Sequence, residues 1–227
     1  MNKRVMAIVA HPDDEIIGIG GTLAKHINEG YDVSIIVMSE GRSSRLALPE
    51  LYDQTMKEQH QFETHLALER LGINNCKFMG LAGNRMDRYD LLDIIKIIEI
   101  EICLYKPSIV YTHNFHDLNI DHTVVSKAVI TATRPLPDNS VDEILFFETL
   151  SSTESALGFG QAFCPNLFIN ITTYLEQKLY AMEAYRSELR ELPHPRNIEC
   201  IRKNAELWGS KVGIEAAEAF VVSRIIR

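Results

Sequence analysis

The chain has 227 residues, of which 46% are hydrophobic and 24% are charged, and its formal net charge at pH 7 is −8. The negative charge, together with the lack of any run of lysine and arginine, argues against a nucleic-acid-binding surface. The four cysteines are widely spaced and include no Cys-x-x-Cys pair, so neither a disulfide framework nor a zinc ribbon is indicated. No apolar run reaches the length of a membrane span.

Short apolar runs alternate with helical patterns along the chain. The runs predicted to be strands are 5–10, 31–38, 76–79, 108–113, 144–147 and 168–171. The predicted helices begin near residue 22 and then cover 53–71, 89–105, 121–133, 175–189 and 197–208. This alternation predicts a single-domain, Rossmann-like α/β fold over residues 1–227, with a mostly parallel sheet flanked by helices.

Three histidines on helical stretches, His26, His60 and His65, are predicted to be surface residues. The first apolar run follows Met1 within a few residues and is too short for the apolar region of a signal peptide. We therefore expect a cytoplasmic protein.

The turn after the first strand concentrates one imidazole and three carboxylates in the run His11-Pro12-Asp13-Asp14-Glu15. Burying several carboxylates together is costly unless a cation neutralises them. His11 and Asp14 have the spacing to bind one divalent metal, with Asp13 beside it. The alternative is that these residues only cap the following helix, because acidic side chains favour helix N-termini.

A doubly wound sheet brings a second group of residues to the same place. In that strand order the first and fourth strands are neighbours, and the ligand crevice opens at their carboxyl ends. His122, which follows the fourth strand, then meets His11 and Asp14. Three protein ligands with one open position are typical of a catalytic zinc site, where metal-bound water becomes a nucleophile near neutral pH. Asp13 could take the proton from that water and pass it to a departing amine.

The run from His11 to Glu15, followed by glycines, resembles the signature of the PIG-L/LmbE-like zinc-dependent N-deacetylases of the N-acetylglucosaminyl deacetylase type. The pair Asp121-His122 is similar to the second motif of that family. The resemblance implies that His11, Asp14 and His122 bind the metal and that Asp13 is the catalytic base. Asn119 stands where a common form of the family has a histidine. We expect Asn119 to donate a hydrogen bond to the developing oxyanion, although it cannot act as an acid.

Further candidates for binding the substrate carry basic or imidazole side chains. Arg186, His194 and Arg196 suit a phosphate or sugar hydroxyls, and an equally good interpretation is a solvated helix end. The same two interpretations apply to Arg42 and Arg45, in the loop after the second strand. His113 and His116 are alternatives to Asn119, or strand-end histidines with backbone partners.

The residues predict a metal-dependent hydrolase. The family resemblance implies that it removes an acetyl group from an N-acetylated amino sugar or sugar conjugate, nucleotide- or lipid-linked conjugates included. The expected cofactor is Zn²⁺, with Fe²⁺ and Co²⁺ left open, and the expected partner is a small N-acetyl sugar; a homo-oligomer stays open. One alternative is a hydrolase of a different acyl amide. The other is a non-catalytic, Rossmann-like nucleotide-binding module, but Gly18-Ile19-Gly20-Gly21 is followed by Leu23 where the phosphate-binding fingerprint requires glycine.

Overall fold

A seven-stranded sheet forms the centre of the protein in a computed structural model that describes residues 3–39, 54–136, 140–156, 158 and 161–227. The strands are β1 (Arg4–Val9), β2 (Asp32–Ser39), β3 (Asn75–Leu81), β4 (Ile109–His113), β5 (Glu143–Phe147), β6 (Leu167–Asn170) and β7 (Ala217–Ile225). The helices are α1 (Asp14–Asn28), α2 (Gln54–Leu71), α3 (Leu91–Tyr105), α4 (Ile120–Ala132), α5 (Leu175–Met182) and α6 (Ile198–Val212). Among the described residues, no helix is long and apolar enough to span a membrane.

The strand order is β3-β2-β1-β4-β5-β7-β6, and every strand runs parallel except β7. The predicted Rossmann-like, mostly parallel α/β fold is therefore confirmed, including the contact between β1 and β4. The chain winds outward in one direction from β1 and in the other from β4. A crevice consequently opens at the carboxyl ends of these two strands.

Alternating side chains of β1 supply two separate cores, as the period of a strand requires. Val5, Ala7 and Val9 face the cluster formed with α1, α2, α5 and α6. Met6 and Ile8 face the cluster formed with α3 and α4. All five side chains are fully buried. The central strand is thus covered on both faces, which explains its continuous apolar sequence.

Three elements differ from the sequence prediction. The first helix, predicted to begin near residue 22, begins at Asp14. The predicted helix 175–189 ends at Met182 and continues as tight turns, in which Ser187 donates its backbone N–H and its hydroxyl to Glu63 on α2. The segment after α6, which received no strand assignment, is β7. It pairs with β5 on one side and β6 on the other, and such long-range pairing is not visible in a short local pattern.

The prediction of surface histidines is wrong for two of the three. His26 and His60 are buried, whereas His65 is exposed. The Nε2 atom of His26 lies 2.8 Å from the hydroxyl of Tyr111 on β4. Burial, followed by the charge of Lys25, lowers the pKa of His26 to about 4, so the ring is neutral inside the fold.

Helix α1 is broken near its middle. Ile19 has φ −139° and ψ 15°, which is not helical. A Cβ atom on Gly18 would lie 2.2 Å from Cδ2 of Phe147, so only glycine fits there. The glycines of this stretch therefore serve a break and close packing inside a helix, rather than forming a loop ahead of it.

Candidate active site

The turn between β1 and α1 carries His11, Asp13 and Asp14 at the mouth of the crevice. Asp13 has φ 97°, a left-handed conformation that is strained for a residue with a side chain. The turn lets the backbone N–H of His11 donate to Oδ2 of Asp14 over 2.9 Å. His122 comes from the first turn of α4, which follows β4. The structure thus brings together the three residues that the sequence proposed as metal ligands.

Three atoms of this group form a nearly equilateral triangle. Nδ1 of His11 lies 3.2 Å from Nε2 of His122, and each of these nitrogens lies 3.3 Å from Oδ2 of Asp14. Bonds of about 2.0–2.1 Å at tetrahedral angles would separate zinc ligands by about 3.3 Å. The observed triangle therefore fits one face of a tetrahedral metal site.

Each of the two histidines has a carboxylate behind it. Nε2 of His11 lies 3.0 Å from Oδ2 of Asp121, and Nδ1 of His122 lies 3.1 Å from Oδ1 of Asp117. A carboxylate at one ring nitrogen holds the proton there and leaves the other nitrogen free to bind a metal. Both rings are thus oriented with their free nitrogens toward Asp14.

The charges in this pocket favour a cation. Burial lowers the pKa of His122, but Asp14 and Asp117 outweigh that effect and raise it to about 10. Oδ1 of Asp14 is buried and has no hydrogen-bond partner among the described residues. A buried carboxylate oxygen without a donor is costly unless a cation lies beside it. The donor set of two nitrogens and one oxygen therefore fits a divalent metal.

His113, a predicted candidate for contacting the substrate, lies behind His122. Its ring is fully buried and stacks on that of His122, with the ring centroids 3.9 Å apart. Its Nε2 accepts the backbone N–H of Ala10 over 2.8 Å, and its Nδ1 lies 3.1 Å from the hydroxyl of Thr149. Burial, with the charge of His122 next, lowers its pKa to about 3. The structure gives His113 a backbone partner and a packing position behind the ligands.

Arg196 contacts Asp13 from a loop that is remote in sequence. Its Nη1 donates to Oδ2 of Asp13 and to Oε2 of Glu188, both over 3.0 Å, and its Nε donates to the hydroxyl of Ser151 over 2.9 Å. Burial raises the pKa of Asp13 above its usual range, and the guanidinium of Arg196 opposes that shift. Arg196 therefore faces the predicted catalytic base, whereas the sequence made it a candidate for binding the substrate.

Asn119 caps the N-terminus of α4. Its Oδ1 accepts the backbone N–H of Asp121, and its Nδ2 donates to Oδ1 of Asn84, both over 2.9 Å. The backbone N–H groups of Asn84 and Met86 in turn donate to the carboxylate of Asp121. Asn119 thus belongs to a network that ties the loop after β3 to the carboxylate behind His11. Its role toward an oxyanion stays a prediction.

The structure does not bring the remaining candidates to the same point. Arg186 is exposed, and His194 is exposed with its Nδ1 accepting the backbone N–H of Arg196. Arg42 and Arg45 lie outside the described residues.

Sequence reasoning missed four residues that support the site. Asp121 and Asp117 were available from proximity, since a carboxylate beside a ligating histidine is a common arrangement. Glu188, which holds Arg196, and Tyr185, whose hydroxyl donates to Glu15, lie far along the chain. No local signal in the sequence connects these last two with the metal ligands.

A crevice at the carboxyl ends of β1 and β4, with three converging candidate metal ligands and a further aspartate in the same turn, is typical of a metal-dependent hydrolase. Residues 6–133, more than half of the chain, match the family model described as "PIG-L: GlcNAc-PI de-N-acetylase". The chain belongs to the PIG-L family, as its sequence motifs predicted.

Relatives with deacetylase names cover most of the chain. The "Uncharacterized deacetylase YaiS" of Escherichia coli is 30% identical over 194 residues, 82% of this chain and 93% of the relative. The "Probable N-acetyl-alpha-D-glucosaminyl L-malate deacetylase 2" of Bacillus cereus is 24% identical over 208 residues, 90% of this chain and 92% of the relative.

A solved structure shares the fold at low identity. It is GalB, the 4-carboxy-2-hydroxymuconate hydratase from Pseudomonas putida, with a TM-score of 0.77 and 22% identity. The alignment covers 99% of this chain and 98% of that one. This likeness concerns the fold alone.

Proposed function

We propose that this protein is a zinc-dependent deacetylase that hydrolyses the acetamido group of an N-acetylated amino sugar or sugar conjugate. The observation that carries the proposal is the triangle formed by His11, Asp14 and His122, and Asp13 precedes Asp14 in the same turn. Membership of the PIG-L family supports the same reaction.

His11, Asp14 and His122 would hold the metal. When bound, it lowers the pKa of a coordinated water toward neutrality and polarises the carbonyl oxygen of the substrate. Two nitrogens and one oxygen suit Zn²⁺ well, and they are also compatible with Fe²⁺ and Co²⁺. Asp117 and Asp121 accept the ring N–H that faces away from the metal position, which fixes the orientation of the two imidazole rings.

Asp13 acts as the general base and then as the general acid. Its carboxylate accepts a proton from the attacking water and delivers that proton to the departing amine nitrogen. Arg196 holds one oxygen of this carboxylate through Nη1, and the same nitrogen is anchored by Glu188. This contact, shared with Glu188, holds the strained turn at Asp13 in one orientation, and the other oxygen of Asp13 is the one proposed for the proton transfer.

Asn119 is proposed to assist at the substrate carbonyl through Nδ2, the donor that Asn84 engages in this structure. An amide nitrogen carries two N–H donors, so Nδ2 can keep its bond to Asn84 and offer its second N–H to the oxyanion. The same residue keeps its capping bond through Oδ1.

The proposed substrate is a small acetylated amino sugar carrying a further group at its glycosidic position. This substrate class follows from the names of the family model and of the Bacillus cereus relative, both of which refer to an N-acetylglucosaminyl group. We propose a cytoplasmic location for the enzyme, and its four free cysteines are consistent with a reducing compartment.

The alternative of a nucleotide-binding module has little support from the geometry. The glycines that resemble a phosphate-binding fingerprint lie inside α1, where Gly18 and Gly21 fit closely against Phe147 and Ile171. The turn into α1 carries Asp13 and Asp14, and carboxylates at this position oppose a pyrophosphate.

A direct test measures acetate and free amine after incubating the zinc-loaded protein with a panel of N-acetylglucosamine conjugates. The panel includes malyl, inositol and chitobiose conjugates, each with its N-butyryl analogue as a control for the acyl group. We expect equal amounts of acetate and amine from at least one acetyl conjugate, and loss of both in Asp13→Asn. Amine release from the butyryl analogues alone would favour the alternative function, a hydrolase of a different acyl amide. No amine release from any acetyl sugar by metal-saturated protein would contradict the proposal, and a hydratase activity would release neither product.

A further inference from the structure

A buried ion pair occupies the break in α1. Lys178 on α5 and Glu218 on β7 are 3% and 4% exposed, and Nζ of Lys178 lies 2.6 Å from Oε1 of Glu218. Neither residue belongs to the active site described above. Removing two charges from water costs free energy, and an apolar pair of similar volume would often give the fold at least the same stability. Stability alone therefore does not explain why an ion pair lies at this position against α1.

The pair satisfies backbone groups on both sides of the break. Nζ of Lys178 donates to the carbonyl of Ile17 over 2.8 Å. Glu218 accepts the N–H of Gly21 at Oε1 over 2.9 Å and that of Thr22 at Oε2 over 2.7 Å. In a continuous helix the N–H of Gly21 would bond to the carbonyl of Ile17. The ammonium and the carboxylate link these same two groups, so the ion pair is inserted into the hydrogen-bond ladder of the helix.

The signs of the two charges match the two helical segments. The ammonium lies at the carboxyl end of the first segment, residues 14–18, where the helix dipole is negative. The carboxylate lies at the amino end of the second segment, where the dipole is positive. Gly20 leaves room for the lysine stem, because a Cβ atom there would lie 3.1 Å from Cγ of Lys178. Gly20, Lys178 and Glu218 thus act together to stabilise the break in α1.

The first segment is the part of α1 that carries the metal ligand Asp14. A segment of five residues does not hold a helical conformation by itself, so its position depends on what it is bonded to at both ends. At its start, Asp13 is held by Arg196, and at its end the carbonyl of Ile17 is held by Lys178.

We propose that the Lys178–Glu218 pair is a positioning device for the metal ligand Asp14, setting the segment 14–18 at the distance from His122 that metal binding requires. This inference rests on the metal site of the proposed function. The two residues act through the backbone of α1 and are not catalytic residues.

The test measures the Zn²⁺ dissociation constant by competition with a chromophoric chelator, together with the visible absorption of the Co²⁺-loaded protein. Lys178→Met and Glu218→Gln are expected to weaken Zn²⁺ binding by about 10–100-fold, the range for residues that support metal ligands from behind. Lys178→Arg keeps the charge and the donors and should recover most of the affinity. The Co²⁺ spectrum should change in the first two variants, because the ligand geometry changes.

The matched control is Ile98→Ala, a fully buried residue of α3 on the opposite face of the sheet. It loses stability through a cavity but should keep the Zn²⁺ affinity and the Co²⁺ spectrum of the wild type. The double variant Lys178→Met/Glu218→Gln leaves no unpaired buried charge. Its Zn²⁺ affinity replaces that of a single variant that fails to fold. Zn²⁺ affinity within twofold of wild type in the double variant, or an equal loss in Ile98→Ala, would overturn the inference.

A measurement on the wild type alone completes the test. Coupling between two sites is reciprocal, so a metal that depends on the break must also stabilise the break. Hydrogen exchange of the Gly21 and Thr22 amides should slow on adding Zn²⁺ by more than that of amides in α3, and an equal effect would count against the inference. A wild type that binds no metal would refute this inference and the proposed function together. A wild type that binds metal without releasing acetate would refute the proposed function alone.

Discussion

Replacing Asp117 by Asn tests whether the carboxylate behind His122 supports metal binding. Oδ1 of Asp117 lies 3.1 Å from Nδ1 of His122, and the carboxylate also accepts hydrogen bonds from Thr153, Ser152 and the backbone of Asn119. Burial raises the pKa of Asp117, but the hydrogen bond from His122 and the charge of that residue, followed by the bonds from Ser152 and Thr153, lower it to about 2, so the group is ionised at neutral pH. The amide is nearly isosteric with it and removes the charge.

The size of the effect follows from this geometry. Two unit charges 3.1 Å apart interact by about 5 kcal/mol at an effective dielectric constant of 20, which is an upper bound because a ligating imidazole carries only part of the metal charge. Changes behind metal-ligating histidines cost about 10–100-fold in affinity, which corresponds to about 1.4–2.7 kcal/mol. We expect the Zn²⁺ dissociation constant of Asp117→Asn to rise within that range.

The assay is competition with a chelator at fixed pH, with Ser152→Ala as the matched control. That control removes a hydrogen bond to the same carboxylate but leaves the carboxylate charged, so its Zn²⁺ affinity should stay close to that of wild type. An Asp117→Asn protein with wild-type Zn²⁺ affinity would refute the argument that this carboxylate orients and activates His122.

Three other predictions concern the base, the cap and a buried histidine. Asp13→Asn should keep the metal, since the ligands are untouched, and lose about 10²–10⁴-fold in kcat; loss of metal would show that the roles of Asp13 and Asp14 are exchanged. Asn119→Ala should lose about 10²–10³-fold in kcat and about 1 kcal/mol of stability in urea unfolding, whereas Asn119→Asp keeps the cap and should lose kcat alone. Unchanged kcat in both variants would contradict a role at the oxyanion and show that Asn119 only caps α4. His26 has a pKa lowered from 6.5 to about 4 in the fold, so the unfolded chain binds more protons between these values. Stability should therefore be full above pH 6.5 and fall by up to about 3 kcal/mol toward pH 4, and a His26→Asn variant with an identical pH dependence would contradict this.

The sequence predicted the strands of the parallel sheet well because each is a continuous run of buried apolar residues. It also predicted that His11, Asp14 and His122 would meet, since strand order alone brings the loops after β1 and β4 together. Residue types at short spacing, such as His11 and Asp14, carry their chemistry locally. The strand order and this short spacing together account for the convergence of the three side chains.

The parts that the sequence did not reveal depend on long-range pairing. β7 is stabilised by antiparallel pairing with β5 on one side and β6 on the other. Its sequence begins with alanine and glutamate, which do not favour a strand. Arg196 reaches Asp13 across 183 positions of sequence, and Lys178 reaches Ile17 across 161. His26 was predicted to be exposed because nothing near it in the chain indicates that β4 would place Tyr111 against it.

The central claim is that His11, Asp14 and His122 bind one divalent metal ion, and elemental analysis of the purified protein after removal of excess metal tests it most directly. Wild type and His65→Ala, an exposed histidine remote from the site, should each contain about one ion per chain. His122→Ala should contain almost none, because two remaining ligands do not retain the ion. Full metal content in His122→Ala, or none in the wild type, would contradict the account.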